Sequence, residues 1–259
     1  MNHSYSCLPQ PLAQAMLGWP GSGWQVRLEN IYAALPATSC ERRGACCALL
    51  PPMHPVEMLA WLGGLCQADP ETSCVLAADL VRHFLLNAAQ RLPCPWARED
   101  SCARYEGRFF GCRAYGLWSK QAYQPRRIQS MEAANKVQEA WQGMGVSLPP
   151  EVCAPPPAYC DQVEPMSGPA LDDARLDALE SELAGLGSGE PWHGLLSGCG
   201  GDLSFLVAGL ALGWRECLQT KVAVTHAILA GDHEQAEQTL AQAGQAARAW
   251  ARDLISGPA

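Results

Sequence analysis

Apolar positions recur at helical intervals through most of the chain, and no segment alternates with the period of a strand. In GWQVRLENIYAALP (23–36), Val26, Leu28, Ile31, Tyr32 and Leu35 follow helical spacing, and Pro36 closes the segment. HPVEMLAWLGGL (54–65) sets a proline at the first helical position ahead of an apolar face. SCVLAADLVRHFLLNAAQRL (73–92) is the clearest amphipathic helix of the first half, with Ser73 as its expected cap. Further helices are predicted over 131–145 and 170–185. Residues 202–230 and 233–255 predict two long helices joined at Gly231-Asp232 as an antiparallel hairpin.

Between these helices the chain is rich in turn formers. Residues 1–22 read as a loosely structured arm with Pro and Gly, 93–119 as an irregular segment, and 148–165 as too proline-dense for a helix. The predicted fold is mainly α. A loop-rich cysteine-cluster domain (23–165) follows the N-terminal arm (1–22), and a C-terminal helical region (166–259) carries the hairpin, which could pack on its own chain or on a second copy as a homodimer.

Composition narrows the function classes. The chain has 259 residues, a net charge of −8 and only 18 scattered Lys and Arg, so it lacks the basic footprint of a nucleic-acid binder. The longest apolar run, LSFLVAGLALGW, is too short to span a bilayer, and the N-terminus has no signal-peptide pattern. A cytoplasmic, reducing location is therefore expected, where thiols stay reduced unless they serve metal or redox chemistry. Thirteen cysteines are present, an odd number that suits a complete disulfide framework poorly.

The cysteines divide by context. Cys7, Cys66, Cys74, Cys199 and Cys217 fall mostly on or beside predicted helices and read as small buried hydrophobes. Cys40, Cys46, Cys47, Cys94, Cys102, Cys112, Cys153 and Cys160 sit in predicted loops beside Pro, Gly or Arg, where backbone can wrap an inorganic centre. Eight thiolates would serve two four-ligand centres, or one cluster with spares. The adjacent pair Cys46-Cys47 can face two directions, because consecutive side chains diverge. Their spacing from Cys40 matches neither a zinc ribbon nor a bacterial ferredoxin run, so motif reading ends at a thiolate-ligated metal. No phosphate loop, dinucleotide fingerprint, H-E-x-x-H or nucleophile elbow occurs, and no catalytic residue is assigned.

Three stretches, CERRGACC (40–47), PCPW (93–96) and CARYEGRFFGCRAYG (102–116), together resemble the YkgJ-like cysteine-cluster proteins, which are described as zinc- or iron-chelating domains. That family carries C-x2-C-x2-C-C followed by a C-P step and a C-x-x-Y…C-R segment, and Glu57 in HPVEMLAW matches the helix that follows its first motif. The second signature cysteine is Arg43 here, so the centre is either one ligand short or recruits Cys153 or Cys160. The resemblance implies a metal-binding set of Cys40, Cys46, Cys47, Cys94, Cys102, Cys112, Cys153 and Cys160. It implies one or two [4Fe-4S] clusters, the all-cysteine set and the crowd of Trp96, Tyr105, Phe109, Phe110, Arg113 and Tyr115 favouring iron–sulfur over zinc. A redox or cluster-dependent enzyme acting with a small-molecule substrate or a redox partner protein is the first expectation. A zinc-binding or metal-handling module is the second. A third is a protein methylase, because flagellin lysine methylases carry a similar cysteine cluster.

Overall fold

The computed structural model describes residues 6–40, 47–99, 101–154, 159–161, 163–167 and 171–256, with the side chains of residues 39, 40, 101 and 167 excepted. Among these residues it is mainly α, as the apolar spacing predicts. It divides into two compact units, each built from discontinuous chain: unit 1 spans 1–28, 52–89 and 184–259, and unit 2 spans 29–51 and 90–183. The expected boundaries at residues 22 and 165 do not coincide with this partition.

In unit 1 the predicted arm contains a helix, α1 (Gln10–Gly18), which buries Leu12, Ala15 and Met16. Pro11 lies in its first turn, where a missing N–H costs nothing, so the proline starts this helix instead of preventing it. α2 (Gly23–Ala33) follows, and the unit boundary falls within it. α3 (Pro55–Gln67) opens with Pro55 in its first turn, and the Glu57 carboxylate accepts from the His54 backbone N–H at 3.0 Å. Glu57 is almost fully buried and serves the helix start.

α4 (Pro70–Leu86) begins earlier than expected because Asp69 is the cap, accepting from Thr72 N–H at 3.0 Å. Ser73, fully buried, donates instead to the Leu65 carbonyl at 2.8 Å and ties α4 back to α3. α8 (Pro191–Ser197) arises within the predicted glycine-rich break and packs on α3 and α1.

The first long helix expected at the C-terminal end is broken into α9 (Leu203–Leu212) and α10 (Trp214–Leu229) by Gly213, whose φ of 90° lies in the left-handed region. The turn lays the Trp214 ring against Gly209. α11 (His233–Ser256) forms the predicted hairpin with α10. Its buried stripe, Leu240, Ala243, Ala247, Trp250, Ala251 and Leu254, covers α4 most extensively and also meets α9 and α10. The apolar stripe of α11 is thus packed within its own chain, while Leu218 and Leu229 of α10 are exposed. No helix among the described residues is long and apolar enough to cross a membrane.

Unit 2 carries the strands. β1 (Ala37–Cys40) pairs antiparallel with β4 (Val163–Ser167), setting Cys40 opposite Val163, and β2 (Ala97–Arg98) pairs with β3 (Ser101–Cys102). α5 (Phe110–Ala114) is a single short turn. α6 (Lys120–Gly143) starts well before the predicted Met131, with Pro125 inside it. Its beginning is held from several directions. Ser119 Oγ accepts from Ala122 N–H and donates to Asp173. Arg126 donates to Asp177 at 2.8 Å and Glu180 at 2.6 Å while stacking on the Trp118 ring. Those three carboxylates belong to α7 (Asp173–Gly185).

Candidate functional site

The two units sort the cysteines. Cys7, Cys66, Cys74, Cys199 and Cys217 all belong to unit 1, whereas Cys40, Cys46, Cys47, Cys94, Cys102, Cys112, Cys153 and Cys160 all belong to unit 2. The six histidines also fall in unit 1, which leaves unit 2 with thiols and without imidazoles.

Three unit 1 thiols are buried as packing groups. Cys74, Cys199 and Cys217 are buried, and their Sγ–H groups face the carbonyls of Arg248, Leu195 and Trp214. Burial pushes the Cys199 thiol up to about 12 and the Cys217 thiol up to about 11, and it raises Cys7 as well. A thiol held protonated in this way is neither a nucleophile nor a metal ligand. The expectation that these cysteines act as small hydrophobes agrees with the burial of Cys74, Cys199 and Cys217, whereas Cys7 and Cys66 are half-buried.

In unit 2 the backbone draws distant cysteine segments together. The Cys94 N–H donates to the Cys47 carbonyl at 2.8 Å. Cys94 then closes a turn through Ala97, which is the strand partner of Cys102. Arg91 donates to the Glu151 carbonyl at 3.4 Å, linking the approach to Cys94 with the turn that carries Cys153. At Gly116 the backbone comes so near to Val163 and the Cys160 carbonyl that an added Cβ would lie 2.8 Å from Val163 Cγ2 and 3.4 Å from that oxygen. Val163 in turn pairs with Cys40. Cys94 is buried, while Cys47, Cys102, Cys112, Cys153 and Cys160 are half-buried.

Three of the eight are not in loops, as had been expected: Cys40 ends β1, Cys102 lies in β3 and Cys112 on α5. Short strand pairs and a single helical turn carry too few residues to show a periodicity. Cys46, Arg42, Arg43 and Gly44 lie outside the described residues, as does the Cys40 side chain. Among the described residues, no group of three or more Cys, His, Asp or Glu side chains is arranged to hold a metal ion.

Arginine and aromatic side chains frame Cys102 and Cys112. Trp96, Phe109 and Phe110 are buried, with Trp96 and Phe109 5.7 Å apart between centroids. The Arg104 guanidinium lies 5.6 Å from the Trp96 centroid and 5.0 Å from that of Phe109, and its Nε donates to the Gly107 carbonyl at 2.9 Å. Desolvation holds this guanidinium below the usual arginine range, opposed by the Tyr32 phenol and the Cys102 and Cys112 thiols. Arg108 stacks 3.8 Å over Tyr105, and Arg113 lies 4.7 Å from the Tyr32 centroid. Each donates to backbone carbonyls: Arg108 to Tyr105, and Arg113 to Arg108 and Glu106. These cations are thus fixed by aromatic faces and peptide dipoles.

The sequence reading identified Arg113 among the shielding residues but gave no role to Arg104, whose signal was an arginine two residues from a cysteine in an aromatic stretch. It also missed Gly116, where only a long-range close approach explains the glycine. Comparisons with models of protein families, with curated proteins and with solved structures give no match to this chain.

Proposed function

We propose that unit 2 is an iron–sulfur module whose cysteines hold one or two [4Fe-4S] clusters in a redox or cluster-dependent enzymatic role. The observation that carries this reading is the sorting of donors. Eight cysteines occupy a unit that contains no histidine, while in the other unit Cys74, Cys199 and Cys217 are buried and burial raises the Cys199 and Cys217 thiols. A donor set of thiols alone suits iron–sulfur ligation, whereas mixed Cys and His sets are common for zinc.

Cys94, Cys102, Cys112, Cys153 and Cys160 would join Cys47, with Cys40 and Cys46 completing the set. Such a cluster supplies one-electron transfer or a Lewis-acidic iron when bound. The chain's own contribution is to exclude water with Trp96, Phe109 and Phe110 and to place the Arg104 cation beside Cys102 and Cys112, offsetting thiolate charge. The likeness of the motifs around Cys40–Cys47, Cys94 and Cys102–Cys112 to the YkgJ-like proteins supports the same assignment.

Anaerobic purification of the full chain, with iron, acid-labile sulfide and zinc assays and a visible spectrum, tests the proposal. The expected product is brown and holds about four or about eight irons with matching sulfide. Cys94→Ser should lower that content, whereas Cys74→Ser in unit 1 should leave it unchanged. A colourless protein with stoichiometric zinc would overturn the iron–sulfur reading, and equal losses in both variants would overturn the sorting argument.

A further inference from the structure

Three helices of unit 1 end at one cavity of about 150 Å³. α1 supplies Met16 and its C-cap Trp19, α3 supplies Gly63 and Gln67, and α11 supplies Leu254 and Ile255. Gln67 is exposed, so the cavity opens to solvent. The Trp19 indole lies against the α3 backbone: a Cβ added at Gly63 would sit 3.3 Å from Trp19 Cδ1. The glycine thus admits an aromatic wall beside the last turn of α3.

A helix C-terminus carries about half an elementary negative charge, from carbonyls that the helix itself leaves unsatisfied. Lys, Arg or His in the last turn commonly offsets this charge, yet α1, α3 and α11 have none there. The last cation of α11, Arg252, precedes that turn and is exposed. Asp253 instead adds a carboxylate to the turn, where it opposes the helix's own dipole. Three negative helix ends therefore gather around one small volume without a cation of the chain in their last turns.

The walls select among cations. A divalent metal ion takes several oxygen ligands, usually with carboxylates among them, and no carboxylate side chain lines the cavity. A primary ammonium is strongly hydrated, and Met16, Leu254 and Ile255 return little for the water it would lose. A quaternary ammonium presents methyl groups to those apolar walls, needs no hydrogen-bond acceptor and is attracted by an indole face. We propose that this cavity binds a small quaternary ammonium cation, with Trp19 as the aromatic wall and the ends of α1, α3 and α11 as the source of the field. The site lies wholly within unit 1 and does not rest on the metal reading of unit 2.

The test is calorimetric titration of the full-length, as-purified protein with choline, with neohexyl alcohol as its uncharged carbon isostere. Saturable choline binding is expected, and the alcohol should bind about tenfold more weakly or worse, because it fills the same space without the charge. Gln67→Lys sets a tethered ammonium at the exposed rim and complements the end of α3. It should weaken choline binding about fivefold or more while the urea midpoint stays level or rises. Trp19→Leu removes the aromatic wall and should weaken binding about tenfold; if it loses helical circular dichroism, Gln67→Lys carries the comparison. Absence of saturable choline binding, equal affinity for the alcohol, or unchanged choline affinity in Gln67→Lys would each overturn the proposal.

Discussion

Lys221 on α10 is an ammonium placed where water is scarce, and replacing it with methionine should change how stability depends on pH. Its Nζ donates to Asn87 Oδ1 at 2.6 Å and sits 4.1 Å from the centroid of Phe84, which stacks on Phe205. Desolvation lowers its pKa from 10.5 to about 8, with Asp202 and Cys217 pulling the other way. The unfolded chain therefore holds the proton more tightly than the folded one. Below pH 8 both states are protonated and the full cost of burying the charge is present. Between about 8 and 10.5 the folded state releases the proton first, so stability rises with pH by up to about 1.4 kcal/mol per unit. Integrated from pH 7 to 9, the gain is about 1.3 kcal/mol. Residual contact of this half-buried residue with water reduces it to about 1 kcal/mol.

The window ends near pH 9 for a reason in the same unit. Cys199 and Cys217, raised from 9.0, hold their protons longer in the folded state, so the stability they contribute is present below pH 9 and lost as pH climbs towards about 11 and 12. Urea unfolding of wild type and Lys221→Met at pH 7 and pH 9 isolates the lysine. Wild type should gain about 1 kcal/mol relative to the variant across that interval. A stability difference between the two proteins that is the same at both pH values would refute the argument.

The remaining predictions concern glycines. Gly209→Ala should destabilise unit 1 by about 1–3 kcal/mol in urea unfolding, because the new methyl would drive into the Trp214 ring. Gly116→Ala combines a φ of 85° with the approach to Val163 and should cost about 2 kcal/mol, whereas Gly143→Ala on the last turn of α6 meets nothing and should be neutral or stabilising by about 0.5–1 kcal/mol. Equal midpoints for those two variants would remove Gly116 from the account of how the Cys160 segment is positioned.

What the sequence reveals and what it hides follow from the range of the interactions involved. The faces of α3 and α4 are legible because Leu59, Leu62, Leu80, Val81 and Leu85 repeat at helical spacing within one segment. The break at Gly213 is hidden, because the apolar pattern runs straight through it and only the turn's geometry reveals the interruption. α6 is half hidden: Pro125 looks like a stop, but Ser119, Asp173 and Arg126 hold the helix start from outside the local sequence. The two classes of cysteine can be read from their neighbours, since Pro, Gly and Arg flank one class and helical residues mostly flank the other. Which cysteine segments approach each other cannot, because Cys40 is set beside the segment after Cys160 by a long-range strand pairing with Val163.

The order of segments along the chain has a consequence for biosynthesis. Every cysteine of unit 2 precedes α7, whereas unit 1 receives α11, the main cover of α4, from the chain beyond residue 232. During synthesis the thiol-rich unit is therefore available to fold while α4 still exposes the apolar face that α11 will cover.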